Sequence, residues 1–433
     1  MPPRRYQAPP DREAISIEVG EQVIEAYMGE PVAAAMLGAG LTAFSRSVKY
    51  HRPRGAPCGA GHCAHCLMRI DGLPNRAACQ TPCRPGLRAA YQNVVGSARH
   101  DLLGVTDWFF PRGIDHHELF TGVPLVQGMV QKIVRKLAGL GTLPEAVPAS
   151  RPIRHRRTEV LVVGGGASGL AAFEAVLQAG REAVLLEAAD TLGGRLRSVL
   201  WERPPALPGQ VELQSTAEFL HRPRGTLEVV ASTPAGIVRW HPEVVVLATG
   251  TYPSPGLFAN NDLPGIFDAY WAAELMSRFG VLPCERPVLC AGPELSEPLE
   301  ALFRQAGAEI AATLPPSAAL RAGSPRILEA RGSASVEALR IEGPGGTETV
   351  EADGLVLGLP RAPAFELAVQ AGAETRFDPA AGGFVVCTDE AGQVSPGVFA
   401  CGSLCAAASP EAAAESGRRV GRAAAEAVEG GSL

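Results

Sequence analysis

The sequence predicts two architectures in one chain, a small α+β domain in front and an α/β module of the dinucleotide-fold kind behind it, on three observations. Five of the ten cysteines fall between Cys58 and Cys83. Ahead of them, ISIEV and QVIEAY alternate apolar and polar residues on either side of Gly20-Glu21, the pattern of a β-hairpin. From Glu159 the texture turns rich in Ala, Gly and Val, with strand, glycine loop and helix in succession, which is how parallel sheets are written. A length of 433 residues at 46% apolar composition is enough for two or three cores.

The elements follow in order. MPPRRYQAPPDR is rich in Pro and Arg and reads, over residues 1–14, as a flexible arm. The hairpin comes next, Pro31 to Gly40 reads as a small helix, and a cysteine-bearing loop with a second hairpin completes a domain over residues 15–97. Residues 98–157 hold DWFFPRG, an amphipathic VQKIVRKLAG helix and the basic RPIRHRR, with no run resembling a core of its own, and read as a connector. Residues 158–256 and 361–433 read as one dinucleotide fold, and 257–360 as a second.

Composition excludes several function classes. The apolar run from Pro31 to Phe44 is too short for a membrane span and is broken by Gly38 and Gly40, and the N-terminus has no signal-peptide pattern, so no transmembrane segment and a cytoplasmic location are expected. The net charge of -6 is uneven: residues 1–157 carry 20 Lys+Arg against 12 Asp+Glu, and the remainder 19 against 33. The front arginines are scattered, without a basic helix or an aromatic stacking platform, so no nucleic acid is expected. Docking to another subunit accounts for the asymmetry equally well. Ten cysteines are too few for a disulfide scaffold.

CGAGHCAHC followed by LMRIDGLPNRAAC gives C-x4-C-x2-C-x12-C, the plant-type [2Fe-2S] spacing, with Cys58, Cys63, Cys66 and Cys79 as ligands. Three cysteines must curl on one tight loop, which Gly59 and Gly61 permit by tolerating positive φ, while bringing backbone N–H groups close to the sulfides. Pairing of Leu67–Ile70 with Pro74–Ala78 across Asp71-Gly72 returns Cys79 to the same place. A structural zinc completed by His62 and His65 is the competing reading, but only one C-x2-C knuckle is present. Cys83 reads as a buried thiol or a reserve ligand.

EVLVVGGGASGLAAFEAVLQAGREAVLLEAADTLGGRL combines strand, G-x-G-x-x-G, helix, second strand and acid, the dinucleotide fingerprint. Gly164 makes the turn, Gly166 admits the pyrophosphate at the helix N-terminus opened by Ala167 and Ser168, Gly169 lets helix and strand pack, and Glu187 accepts from the ribose. Gly194 and Arg195 beyond the acid, Thr249 and Gly250 in VVVLATG, and Gly402 and Ser403 in GVFACGS follow the order of two-dinucleotide-fold flavoproteins, so the cofactor expected is FAD. Those proteins usually carry Gly-Asp where this chain has Gly402-Ser403. An empty Rossmann-like fold is the bland alternative.

The second opening, PVLCAGPELSEPLEALFRQAGAEIAATL, keeps Gly292 alone of three expected glycines and ends its next strand without an acid or arginine anchor. Cys401 and Cys405 are separated by three residues, so no C-x-x-C relay next to the flavin is expected. No nucleophile with its base and no Gly-x-Ser-x-Gly is present. His116-His117 read as surface or interface residues, and no catalytic residue is assigned.

On these residues the chain resembles a known family. VKYHRPRGAPCGAGHCAHC and DGLPNRAACQTPCRPG are similar to the [2Fe-2S] subunits of hydrogen cyanide synthase, and KYHRPRG, DWFFPRGIDHHELF and AGLG resemble the α subunit of heterotetrameric sarcosine oxidase. The resemblance implies a ferredoxin-like β-grasp domain ahead of the FAD module. It also implies an electron-transfer subunit in a hetero-oligomer whose partner is an FAD-dependent amine or amino-acid dehydrogenase subunit, with a quinone or carrier downstream. An FMN at a subunit interface is compatible with such an assembly. The folate-enzyme-like domain of sarcosine oxidase α subunits has no counterpart in the sequence, so tetrahydrofolate chemistry is not implied. A self-contained NAD(P)H-dependent FAD/[2Fe-2S] reductase and a non-catalytic scaffold stay open as alternatives.

Overall fold

The computed structural model describes residues 4–47, 51–92, 94, 144, 150–195, 209–320 and 323–430. The DWFFPRG and VQKIVRKLAG segments and His116-His117 lie outside the described residues. The chain forms two compact units, each assembled from two separate stretches: Met1–Pro148 with Pro255–Leu359, and Ala149–Ser254 with Pro360–Leu433.

In the first unit the opening hairpin pairs Ala14–Val19 with Gln22–Tyr27, Ile17 facing Ile24 and Val19 facing Gln22 across Gly20 at φ +60°. Alternation sends Ile17, Val19, Ile24 and Ala26 inward. The helix Val32–Gly38 is buried throughout, which its small Ala33–Ala35 stretch allows. Strand Arg88–Ala90 lies between the first strand, to which it is parallel, and Leu67–Ile70, to which it is antiparallel. The strand order, with Gln22–Tyr27 and Leu73–Ala77 at the edges, is that of a β-grasp sheet. Pro255–Leu359 contributes a four-stranded parallel sheet in the order Ile266–Asp268, Gly354–Leu357, Pro287–Cys290, Ala312–Leu314. Helices Ala269–Phe279 and Pro293–Gln305 and an antiparallel three-stranded sheet accompany it.

The arm expected to be loose is anchored from Arg4 onward. Arg4 is buried, pairs with Asp353 at 3.0 Å and donates to the Pro283 carbonyl. Arg5 grips Glu30 through both carboxylate oxygens at 2.9 and 3.0 Å and donates to Phe279 O at 2.6 Å. Tyr6 Oη donates to Met276 O at 2.8 Å. Composition signalled disorder, but two arginines facing the buried Glu30 and the half-buried Asp353 override it.

The second unit is built on strand Ile153–Val163, flanked by Ala183–Leu186 and Gly236–Leu247, all parallel. The basic RPIRHRR read as connector supplies the first half of that strand, with Ile153–Arg157 opposite Ile237–His241. Helices Ala167–Gln178 and Pro410–Gly430 pack closely: a side chain at Gly417 or Gly421 would collide with the backbone of Ser168 or Ala172.

Candidate redox cofactor sites

The cluster loop is closed by the second hairpin. Leu67–Ile70 pairs with Leu73–Ala77 across Asp71 and Gly72, both at positive φ (50° and 78°), the twist a two-residue type I′ turn needs. The strand ends put Ala78 N–H on Cys66 O at 3.0 Å, and the turn Ala78–Gln80 then carries Cys79 back beside Cys66. The four sequence-predicted cysteines are thus brought together, Cys58, Cys66 and Cys79 buried and Cys63 half-buried.

Their thiols contact one another. Hydrogen bonds with Cys63 and Cys79 pull the Cys58 thiol well below its usual range, and Cys63 is correspondingly pushed up. Cys66 is lowered by Cys79, and Cys79 is raised by Cys58 and Cys66. Backbone N–H groups converge on the same sulfurs, Ala60 reaching Cys58 Sγ at 3.4 Å, with those of His65 on Cys63 and Ala78 on Cys66. Among the described residues no three His, Cys, Asp or Glu side chains surround a single ion position. Four thiols in mutual contact, Cys58 with Cys63 and Cys79 and Cys79 also with Cys66, with amides aimed at sulfur, fit a two-iron cluster, which takes four thiolates.

The partners Arg54 and Trp271 of this loop had no signal in the sequence. His65 Nε2 lies 2.8 Å from Arg54 Nη1, and since a guanidinium only donates, Nε2 is the acceptor and the proton sits on Nδ1. Burial and Arg54 lower the pKa of this imidazole. Arg54 and Arg52 turn in addition to Asp262, at 3.9 and 2.8 Å. Gly59 and Gly61 have φ of +62° and +71°; a Cβ on Gly59 would stand 2.5 Å from Trp271 Cδ2, and one on Gly61 2.9 Å from Gln80 Cγ. Cys83 lies elsewhere: its N–H donates to Glu30 O at 2.7 Å and burial beside Glu30 pushes its thiol up.

In the second unit the glycine loop is shaped by close approach. A side chain at Gly164 (φ +108°) would strike Ala248 O, and one at Gly169 would strike Gly164 O, whereas Gly166 opens onto free space at the start of helix Ala167–Gln178. Glu187 follows strand Ala183–Leu186 and accepts from Gly165 N and Ala189 N, each at 2.7 Å, leaving each oxygen a second lone pair. Gly194 crosses directly over Gly166, a Cβ there lying 2.9 Å from its Cα. Gly402 (φ +77°) abuts Ser168, and Ser403 stands half-exposed on the same turn. Thr249 Oγ1 donates to Ala364 O at 2.7 Å and Gly250 O accepts from Ala364 N at 3.0 Å. Arg195 is exposed beside Gly194. An open helix N-terminus walled by glycines, with a carboxylate one strand away, fits the pyrophosphate and ribose of FAD.

The second dinucleotide opening differs. Helix Pro293–Gln305 starts at Gly292, and the Glu294 carboxylate folds over that glycine, with Oε1 and Oε2 at 2.5 and 2.8 Å from where a Cβ would stand. Glu294 thus places a negative charge in the first turn of that helix.

Residues 12–94 match the model of a 2Fe-2S iron-sulfur cluster binding domain, and residues 162–225 that of an NAD(P)-binding Rossmann-like domain. Sarcosine oxidase subunit alpha of Rhizobium meliloti is 24% identical over 76% of this chain and 38% of that protein. The Corynebacterium sp. (strain P-1) subunit is 28% identical over 69% of this chain and 30% of its own length, so the chain spans about a third of these relatives. Hydrogen cyanide synthase subunit HcnA of Pseudomonas aeruginosa is 40% identical over 18% of this chain and 76% of HcnA. The structure of L-proline dehydrogenase from P. horikoshii shares the fold, with a TM-score of 0.69 at 19% identity over 95% of this chain and 73% of that one. The chain therefore belongs to the oxidoreductase family of 2Fe-2S subunits that includes HcnA and sarcosine oxidase subunit alpha, with a 2Fe-2S domain followed by a Rossmann-like fold of the FAD type.

Proposed function

We propose that this chain is the electron-transfer subunit of a hetero-oligomeric dehydrogenase or oxidase whose partner flavin subunit oxidises an amino acid or secondary amine. The observation that carries this reading is the pairing of a four-cysteine loop and a glycine-walled helix N-terminus with a second nucleotide loop that keeps Gly292 alone and sets Glu294 in the first turn of its helix. When bound, FAD exchanges two electrons and the cluster one, so together they convert a pair into single electrons for a quinone or carrier. The polypeptide's part is to hold and insulate. Cys58, Cys63, Cys66 and Cys79 hold the iron, the Ala60 and His65 amides offset thiolate charge, and Gly166 with Glu187 seats the dinucleotide. Relatives named as subunits of sarcosine oxidase and hydrogen cyanide synthase support the amine class and the need for a partner.

Glu294 disfavours a self-contained NAD(P)H reductase. A phosphate approaching Gly292 meets a carboxylate where amide donors would be required. The test is stopped-flow absorbance of the FAD- and iron-loaded chain, with and without a candidate flavoprotein partner taken from neighbouring genes. Amine-driven reduction only in the presence of that neighbour is expected. Rapid flavin reduction by NADH or NADPH alone, or by the amine without the neighbour, would overturn the proposal.

A further inference from the structure

His65 stands between Cys63 and Cys66, and its amide is one of those aimed at sulfur, donating to Cys63. Its carbonyl and its ring are gripped from outside the cysteine loop. Ser45 Oγ donates to His65 O at 2.7 Å, and Arg54 Nη1 donates to the ring Nε2 at 2.8 Å. The two grips are not independent. Ser45 and Arg54 face each other as cross-strand partners in the short antiparallel ribbon that pairs Ser45–Arg46 with Pro53–Arg54. Phe44 N–H on Arg54 O and Ser47 N–H on Arg52 O, both at 2.9 Å, hold that ribbon together. Side chains directly opposite in a strand pair share a face, so the ribbon presents a hydroxyl and a guanidinium side by side, and both take hold of one residue of the loop.

The ribbon is held in turn by the return segment Pro255–Leu359, which belongs to the same compact unit. Arg52 reaches Asp262 and Asn260, each at 2.8 Å, and the Asn260 side chain donates to Ala330 O at 2.8 Å. Gly55 lets the two stretches touch, since a Cβ there would stand 3.0 Å from Pro264 Cα. Arg54 Nη2 lies 3.9 Å from Asp262, with 30% and 20% of the two side chains exposed. A pair so long and so wet adds little stability, and what it supplies is orientation of the planar guanidinium. Orientation matters here because a hydrogen bond weakens steeply as its angle closes, and an amide bonded to a ligating sulfur favours the more negative, reduced cluster.

We propose that Arg54 and Ser45 are positioning residues for the cluster: together they clamp His65 so that its amide stays aimed at Cys63, and thereby raise the cluster's midpoint potential. Both act through His65. No bond is made or broken, and the single electron is the one the cluster ordinarily takes up. The inference rests on the cluster being bound and not on the partner or its amine.

The test compares the anaerobically purified holoprotein with Ser45→Ala, Arg54→Met and the double variant, iron and sulfide being measured first. In an EPR-monitored redox titration each single variant should have a lower midpoint potential. The double variant should shift by less than the two shifts added, because either deletion already opens the clamp. Ser45→Ala removes no charge, so it separates positioning from the electrostatic effect of the guanidinium. An unchanged potential in Ser45→Ala, or additive shifts, overturns the proposal. If Arg54→Met fails to hold iron, Ser45→Ala decides, with a second readout. In a His62→Gln background labelled with α-15N histidine, His65 carries the one labelled amide of the cysteine loop. The reduced cluster should then show a 15N hyperfine coupling that shrinks when Ser45→Ala is added. No coupling, or one that Ser45→Ala leaves unchanged, overturns the proposal as well.

Discussion

Replacing Arg5 by alanine tests the anchoring of the N-terminal arm. Glu30 has no exposed side-chain surface and Arg5 only 10%, and the two meet through paired contacts at 2.9 and 3.0 Å. Removing one partner of such a pair strands a buried charge, which costs about 3–5 kcal/mol. Loss of the donation to Phe279 O and of the Arg5 stacking on Tyr27 at 4.7 Å acts in the same direction. Burial already raises the pKa of Glu30 against the lowering pull of Arg5 and the Tyr27 amide, with Arg12 adding a weaker pull. Without Arg5 it rises further. A carboxyl raised in the folded state stabilises fully below its unfolded value of about 4.3, and that contribution is lost as pH climbs through the folded value. The penalty of Arg5→Ala should therefore be full near about pH 7 and shrink on acidification, and Glu30→Gln in the same chain should recover most of it. Urea unfolding of the full chain at several pH values, with the first unit's transition identified by loss of cluster absorbance, measures this. A penalty below about 1 kcal/mol, or one independent of pH, would refute the account of the anchor.

Three further outcomes follow from the two sites. Cys79→Ser should abolish two-iron loading while Cys83→Ser keeps it, because Cys83 faces Glu30 and not the other thiols; iron and sulfide assays on the purified variants distinguish them. Gly59→Ala combines left-handed strain of about 1–2 kcal/mol with overpacking against Trp271 of about 1–3 kcal/mol, so iron content should fall and the urea midpoint with it. Glu187→Ala removes the acceptor for both ribose and the Gly165 amide; at about 1.5–3 kcal/mol for a charged hydrogen bond, FAD affinity measured by flavin fluorescence should drop about 10–100-fold.

What could be read in advance is what the sequence states locally. The Asp71-Gly72 turn specifies its own φ angles, so the return of Cys79 to Cys66 follows from spacing alone. The first dinucleotide loop was legible for a similar reason, since Gly169 answers to the Gly164 carbonyl and Gly164 to Ala248 O just past the neighbouring strand. The anchored arm was not, because its partners Glu30, Phe279, Pro283 and Asp353 lie far along the chain and composition is silent about them. Trp271 gave no signal at all; an aromatic residue in the first turn of a helix is ordinary until the fold brings Gly59 beneath it. The strand in RPIRHRR was hidden by its charge, since its side chains are largely solvent-exposed and only its backbone is paired.

The two compact units are interleaved along the chain, each begun before the other is finished. Domains emerging from the ribosome ordinarily fold in the order they are made. Here the cysteine loop, the Pro57 carbonyl and the face of Gly59 are synthesised long before Asp268 and Trp271, and Arg4 waits still longer for Asp353. The first unit can therefore close only after the opening half of the second has been translated. The cysteine loop thus gains its packing against Asp268 and Trp271 only when the return segment, Pro255–Leu359, has been made.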